Sequence, residues 1–278
     1  MSVLDMQPME RSKASLSVSR LGVVRFLNAR PIVAGLDALA GLSVRPAPPS
    51  DLIGLVSERA VDLALCSSVD LLTAPFDVAW LPVAPLGCDG ETLTVRVFSR
   101  KPLDQVGRIH CDTDSHTSIA LLRVLLAEYW KCDPELVPLG SDDDVEATLL
   151  IGDKVIGPTG DPAAWPCQVD LGEIWKQHTG LPFVFAVWMG RAEERDRIRR
   201  VGRVLDRQLR LNQHRLREIV SKEAGDHGWS RDAARDYLTR HIRYAFTDRE
   251  REGLQTFLGR CVALGIVPPR DLPEPLTL

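Results

Sequence analysis

LGVVRFLNARP, residues 21–31, runs an apolar strand straight into a proline-started helix. Leu21–Phe26 has the apolar and β-branched content of a strand, and Pro31 suits the first turn of a helix predicted to reach Leu39. The same alternation repeats downstream. Leu42–Arg45 reads as a short strand, broken by Pro46, Pro48 and Pro49. Ser50 or Asp51 is expected to cap a helix through Glu58. Val61–Leu65 (VDLAL) is a buried strand, Ser67 and Ser68 open a short helix carrying Val69, Leu71 and Leu72, and Val78–Pro85 is a further strand. Strands and helices alternating at this spacing predict parallel pairing in an α/β layer fold.

A second α/β unit follows. Thr92–Ser99 and Arg108–Cys111 read as strands, and the latter ends in a polar loop through Ser118. A helix with Ile119, Leu122, Leu125 and Leu126 on one face comes next, then the strand Ala147–Ile151. Leu181–Trp188 is a long apolar strand able to return the chain to the first unit. Beyond Arg191 the pattern is helical: Ile198, Val201, Leu205 and Leu209 form one stripe, and Phe246–Leu264 is the last long helix. Two units crossed by the chain near residues 90 and 185 predict two lobes with a cleft between them, and a ligand at the carboxyl ends of strands.

Composition narrows the function. Apolar residues make up 45% and charged residues 26%, which excludes wholesale disorder. With 34 Lys and Arg against 38 Asp and Glu, the formal charge of −4 argues against a general nucleic-acid binder. The ten Arg between 191 and 218 are interleaved with acids and read as a solvated helix surface. No apolar run reaches the ~18–20 residues that span a bilayer. The first nineteen residues read as a flexible tail without a secretory h-region, so the expected compartment is the cytoplasm. Six scattered cysteines form no CxxC pair and are expected to be free thiols, and no metal-ligand set is seen.

Four loops fall at strand ends. In the first, Asn28 either lends its amide to a cleft floor or organises the turn before Pro31. In the second, Ser67 and Ser68 precede a short helix and could cradle an anion. In the third, Thr117 and Ser118 begin a helix after a strand, a second anion cradle, with His116 beside them as a cation or proton donor or as an ordinary loop residue. In the fourth, Gly152 allows close backbone approach, and Asp153 is an acid/base group or a helix cap. Thr94 lies inside the predicted strand Thr92–Ser99 and could face the cleft. No P-loop, GxGxxG, HExxH or GxSxG motif is present, so nothing calls for a nucleotide, a metal or a serine nucleophile. Hydroxyls, amides and two helix starts suit a small acid with two carboxylates.

FLNARP (26–31), TSIALLRVLL (117–126), LLIGD (149–153) and above all DLGEIWKQHTGLPFVFAVW (170–188) resemble the MqnA family, the chorismate dehydratases of the futalosine route to menaquinone. The resemblance runs from about Leu21 to the final helix. It implies a two-lobed fold like a type II periplasmic binding protein, with lobe one over 20–92 plus 188–278 and lobe two over 93–187. It implies a cytoplasmic lyase that removes water from chorismate to give 3-[(1-carboxyvinyl)oxy]benzoate without a cofactor. Asn28 matches the asparagine of FLNxxP, and with Thr94 it is the expected catalytic pair. Ser67, Ser68, His116, Thr117, Ser118, Gly152 and Asp153 are the expected substrate-binding residues. Thr94 stands where relatives usually have Ser, and His116 where they often have Arg. Other readings of the same fold are a cytosolic small-carboxylate-binding protein without turnover, or a futalosine-pathway enzyme with another substrate. A homodimer is compatible with the sequence.

Overall fold

Strand β1 (Ser19–Val24) leads through a tight turn at Leu27–Ala29 into the one-turn helix α1 (Arg30–Val33). Then come β2 (Leu42–Ala47), α2 (Pro49–Ser57), β3 (Leu63–Ser67), α3 (Asp70–Thr73) and β4 (Val78–Cys88). The chain crosses to β5 (Val95–Ser99), β6 (Arg108–Cys111), α4 (His116–Leu125), β7 (Glu135–Pro138), β8 (Ala147–Ile151), β9 (Cys167–Asp170) and α5 (Leu171–Thr179). It returns as β10 (Phe183–Arg191) and closes with α6 (Arg195–His214), α7 (Leu216–Glu223), α8 (Arg231–Asp236) and α9 (Asp248–Ala263). This computed structural model describes residues 19–140, 145–157 and 164–278; of the expected tail only Ser19 is among them, as the first residue of β1.

Two five-stranded sheets result, ordered β2-β1-β3-β10-β4 and β7-β6-β8-β5-β9. The central strands β3 and β8 are buried at every residue, as helices on both faces require. Parallel pairing holds for β1 with β2 and β3, and for β6 with β7 and β8. It does not hold for β10, antiparallel to β3 and β4, nor for β5, antiparallel to β8 and β9. Both strands enter their sheet directly from a crossing rather than through a crossover helix, so nothing forces the parallel direction.

Local chemistry moved several boundaries. α1 ends before Gly35, whose φ of +81° breaks the helix expected to reach Leu39. Neither Ser50 nor Asp51 caps α2: Pro48 holds the cap position, with Pro49 first in the helix. α3 starts at Asp70 without a side-chain cap from Ser67 or Ser68. The α6 stripe Ile198, Val201, Leu205 and Leu209 is buried, and α9 opens with a capping box of Thr247 and Glu250. All six cysteines are free.

Helix α5 fastens both crossings. The buried Asp170 carboxylate caps α5 through the amides of Gly172 (3.0 Å) and Glu173 (3.1 Å). It also accepts from Thr92 N (3.0 Å) and Leu93 N (2.8 Å) on the outgoing crossing. That grip bends residues 92–94 out of the expected strand, which starts only at Val95, and holds Leu93 at a φ of +63°. One turn on, Lys176 Nζ reaches Asp89 (2.5 Å) on the outgoing crossing and Gly180 O (2.9 Å) on the return. Gly172 lies so close to the crossing that a Cβ there would meet Thr92 Cγ2 at 2.3 Å and Gly90 O at 2.7 Å. Gly172→Ala is therefore expected to destabilise the protein by ~1–3 kcal/mol, the usual cost of overpacking. Urea unfolding checks this, and an unchanged midpoint would contradict the close fit.

Candidate functional site

Between the two sheets lies a cavity of about 50 Å³. From the first sheet and its loops come Val24, Phe26, Asn28, Ser67, Leu86 and Phe185; from the second, Thr94, Ser115, Ser118, Ile151 and Gly152. Thus Asn28, Ser67, Thr94, Ser118 and Gly152, far apart in sequence, share one space. Among the described residues no Asp, Glu, His, Lys or Arg lines it.

Two polar atoms at this cavity have no partner in the protein. Asn28 Oδ1 and Ser67 Oγ are both buried and unsatisfied, at a cost of ~1–3 kcal/mol each when no ligand or water answers them. On the opposite wall Ser115 caps α4, its Oγ accepting from Ser118 N (3.2 Å) and Ser118 Oγ (3.0 Å). With its oxygen so engaged, the Ser115 hydroxyl hydrogen is left to donate, next to the positive end of the α4 dipole. Gly152, at a φ of +61°, lets the Phe26 ring pack onto the backbone; a Cβ there would sit 2.6 Å from that ring. Here its role is contact between the lobes at the cavity edge.

The remaining expected residues are engaged elsewhere. Asp153 does not line the cavity. Its carboxylate accepts from Leu27 N (3.1 Å) and Trp229 Nε1 (3.0 Å) and pairs with His227 Nδ1 (2.6 Å). It clasps the turn beside Asn28 to the segment after α7. His116 Nδ1 pairs with the buried Asp70 at 2.8 Å, and Thr117 Oγ1 accepts from Val69 N at 3.3 Å, 3.4 Å from Ser68 Oγ. Ser68 Oγ donates to Val184 O at 2.7 Å. Together with Arg25–Asp114 at 2.9 Å, the His116 and Thr117 contacts join the two sheets' sides rather than face the cavity, while Ser68 ties the end of β3 to β10.

The sequence reading passed over four residues at this site: Ser115, Tyr237, Tyr244 and Trp229. Tyr237 is fully buried, its hydroxyl 2.6 Å from Thr94 Oγ1. Its ring stacks on Trp229 at 4.6 Å and 10°. Burial pushes the phenol above its ordinary pKa, so it keeps its proton at neutral pH. Tyr244 Oη donates to Asn28 O at 3.0 Å. An antiparallel bridge between Gly87 and Arg243 pins the segment between these tyrosines to β4. Among the described residues no group of three or more His, Cys, Asp or Glu side chains is placed to hold a metal ion, and no helix is long and apolar enough to cross a membrane.

Solved structures define the class of fold. An Archaeoglobus fulgidus protein superposes with a TM-score of 0.74 at 13% identity, over 91% of this chain and all of that one. The alkanesulfonate-binding protein SsuA of Xanthomonas axonopodis pv. citri gives 0.64 at 12% identity, over 91% and 95%. A Candida albicans gene product with the generic periplasmic-binding-protein fold gives 0.63 at 12%, over 91% and 92%. The fold is thus the two-lobed periplasmic-binding-protein type. Residues 19–263 match the family described as menaquinone biosynthesis. The chain is 32% identical over 275 residues to the chorismate dehydratase of Thermus thermophilus, covering 91% of this chain and 98% of that one. It belongs to this menaquinone-biosynthesis family, the MqnA group that the blocks at 26–31 and 170–188 resemble.

The hydrogen bond that His116 donates to Asp70 raises the pKa of His116 above its ordinary 6.5, while burial raises that of Asp70. A raised histidine contributes stability that is complete below the unfolded value and fades as pH rises through the folded one. The stability difference between wild type and His116→Gln should therefore shrink between about pH 6 and about pH 9. Thermal melts across that range check it, and a constant difference would contradict the pairing.

Proposed function

We propose that the protein is a chorismate dehydratase, a hydro-lyase that converts chorismate to 3-[(1-carboxyvinyl)oxy]benzoate and water in menaquinone biosynthesis. The observation that carries this reading is a cavity whose two unsatisfied groups, Asn28 Oδ1 and Ser67 Oγ, face hydroxyls of Thr94, Ser115 and Ser118 across an otherwise apolar space. The likeness to the Thermus enzyme supports the choice of substrate. Ser115, whose own hydrogen is left to donate because Ser118 donates to its oxygen, binds one carboxylate at the start of α4, and Ser67 binds the other. Asn28 and Thr94 hold the 4-hydroxyl that leaves. Ser68, Thr117, His116 and Asp153 act at a distance, by holding the lobes together.

The reaction removes the ring proton beside the ether and expels the 4-hydroxyl. The C–H electron pair becomes part of the aromatic ring, and proton and hydroxide depart as water. A base is needed, and among the described residues no ionisable side chain lines the cavity. Asp153 has its oxygens engaged by three donors and His116 is held by Asp70, which leaves neither disposed to act. The base is then the substrate's own enolpyruvyl carboxylate, brought against the ring by the closed walls. Such positioning is worth ~7–11 kcal/mol at best, and the developing aromaticity supplies the rest of the drive. The cavity holds only a few waters at its present volume. The lobes must part to admit the substrate and close to exclude water.

Purified protein mixed with chorismate should yield a product one water lighter. Asn28→Ala should keep the fold and lose about 10²-fold or more in kcat, as for loss of one preorganised hydrogen-bonding group. Ser67→Ala should mainly raise KM. Chorismate that stays intact yet raises the melting temperature would move the reading to a binding protein without turnover.

A further inference from the structure

The wall around the leaving hydroxyl has a defined hydrogen-bond direction. Tyr237 has one hydroxyl hydrogen to give, and the hydroxyl is fully buried beside Thr94 Oγ1, 2.6 Å away. Among the described residues no other side chain accepts a hydrogen bond from it, so a bond donated by Thr94 would leave the phenol hydrogen buried and unmet, at the cost such a group carries. The phenol hydrogen therefore goes to Thr94 Oγ1. Thr94 in turn has its own hydrogen left for the cavity, since a hydroxyl has one donor.

The surroundings hold this arrangement rigidly. The phenol ring is stacked on Trp229, whose indole N–H is tied to Asp153. The same carboxylate holds the amide of Leu27, the residue before Asn28. Tyr244 holds the Asn28 carbonyl. Asn28, Tyr237 and Thr94, from three distant segments, are thus each held in place by the same small set of contacts.

We propose that Tyr237 is a positioning residue for the elimination. It gives its hydroxyl hydrogen to Thr94. Thr94 is thereby committed to donate to the oxygen of the departing hydroxyl, whose hydrogen the unpaired Asn28 Oδ1 accepts. This rests on the dehydratase reading. The relay needs a hydroxyl at position 94, not a particular side-chain size.

The test is steady-state kinetics of Tyr237→Phe, Thr94→Val and the double variant. Tyr237→Phe keeps the ring on Trp229 and removes only the hydroxyl. It should lower kcat by about 10–100-fold, the scale seen when an outer partner of a reactive group is removed, with KM changed by less than about 3-fold. Thr94→Val should lose at least as much, and the double variant should lose no more than Thr94→Val, because both break one chain. Thr94→Ser should retain most of the wild-type kcat. Wild-type kcat in Tyr237→Phe, a purely KM effect, or multiplicative losses in the double variant would overturn the relay while leaving the dehydratase reading intact. If Tyr237→Phe does not melt cooperatively, Thr94→Val decides: full kcat without the hydroxyl overturns the relay. A wild-type protein that leaves chorismate untouched would overturn both readings, since the relay would have no leaving group to serve.

Discussion

The fold depends on one carboxylate more than on any other polar group. Asp170 receives four backbone N–H bonds, two from the helix it caps and two from the crossing that carries the chain between the sheets. Burial of such a group would be costly if unmet. The bonds from Thr92 and Leu93 also fix a relation between segments that are nearly eighty residues apart. Lys176, one turn further on, ties the same crossing to the return crossing. The two sheets can then shift only about these paired strands, which is the geometry a cleft-closing protein needs.

Closure has its own set of contacts. Asp153, His116 and Thr117 each reach from the second sheet's side to the first. The charged and titratable members of the site region are consumed in holding the walls together, and the space they enclose is left neutral. A neutral, water-poor cavity strengthens each hydrogen bond to a substrate carboxylate. It also leaves the chemistry to positioned hydroxyls, one amide and the substrate's own groups.

Much of this was legible in the sequence, for identifiable reasons. Strand-end loops with Asn, Ser and Thr announced themselves at Asn28, Ser67, Thr94 and Ser118, because polar residues after apolar strands have few structural uses. The antiparallel direction of β5 and β10 was not legible, since alternation of strand and helix signals parallel pairing, whereas both strands are entered from the other sheet's side. His116 and Asp153 look catalytic by residue type, and only three dimensions reveal Asp70, His227 and Trp229 as their partners. Tyr237 was invisible for the same reason. It stands 143 residues from Thr94, on a helical turn whose local pattern reads as ordinary core.

The account's central claim is that no ionisable side chain of the protein takes the proton. The most direct measurement is kcat as a function of pH. With the substrate carboxylate as base and Tyr237 keeping its proton, kcat should be level from about pH 6 to about pH 9, because carboxylates titrate well below that window and the buried phenol above it. A limb of unit slope with an apparent pKa inside that window would contradict it, and would mean that a protein group such as a histidine acts as the base.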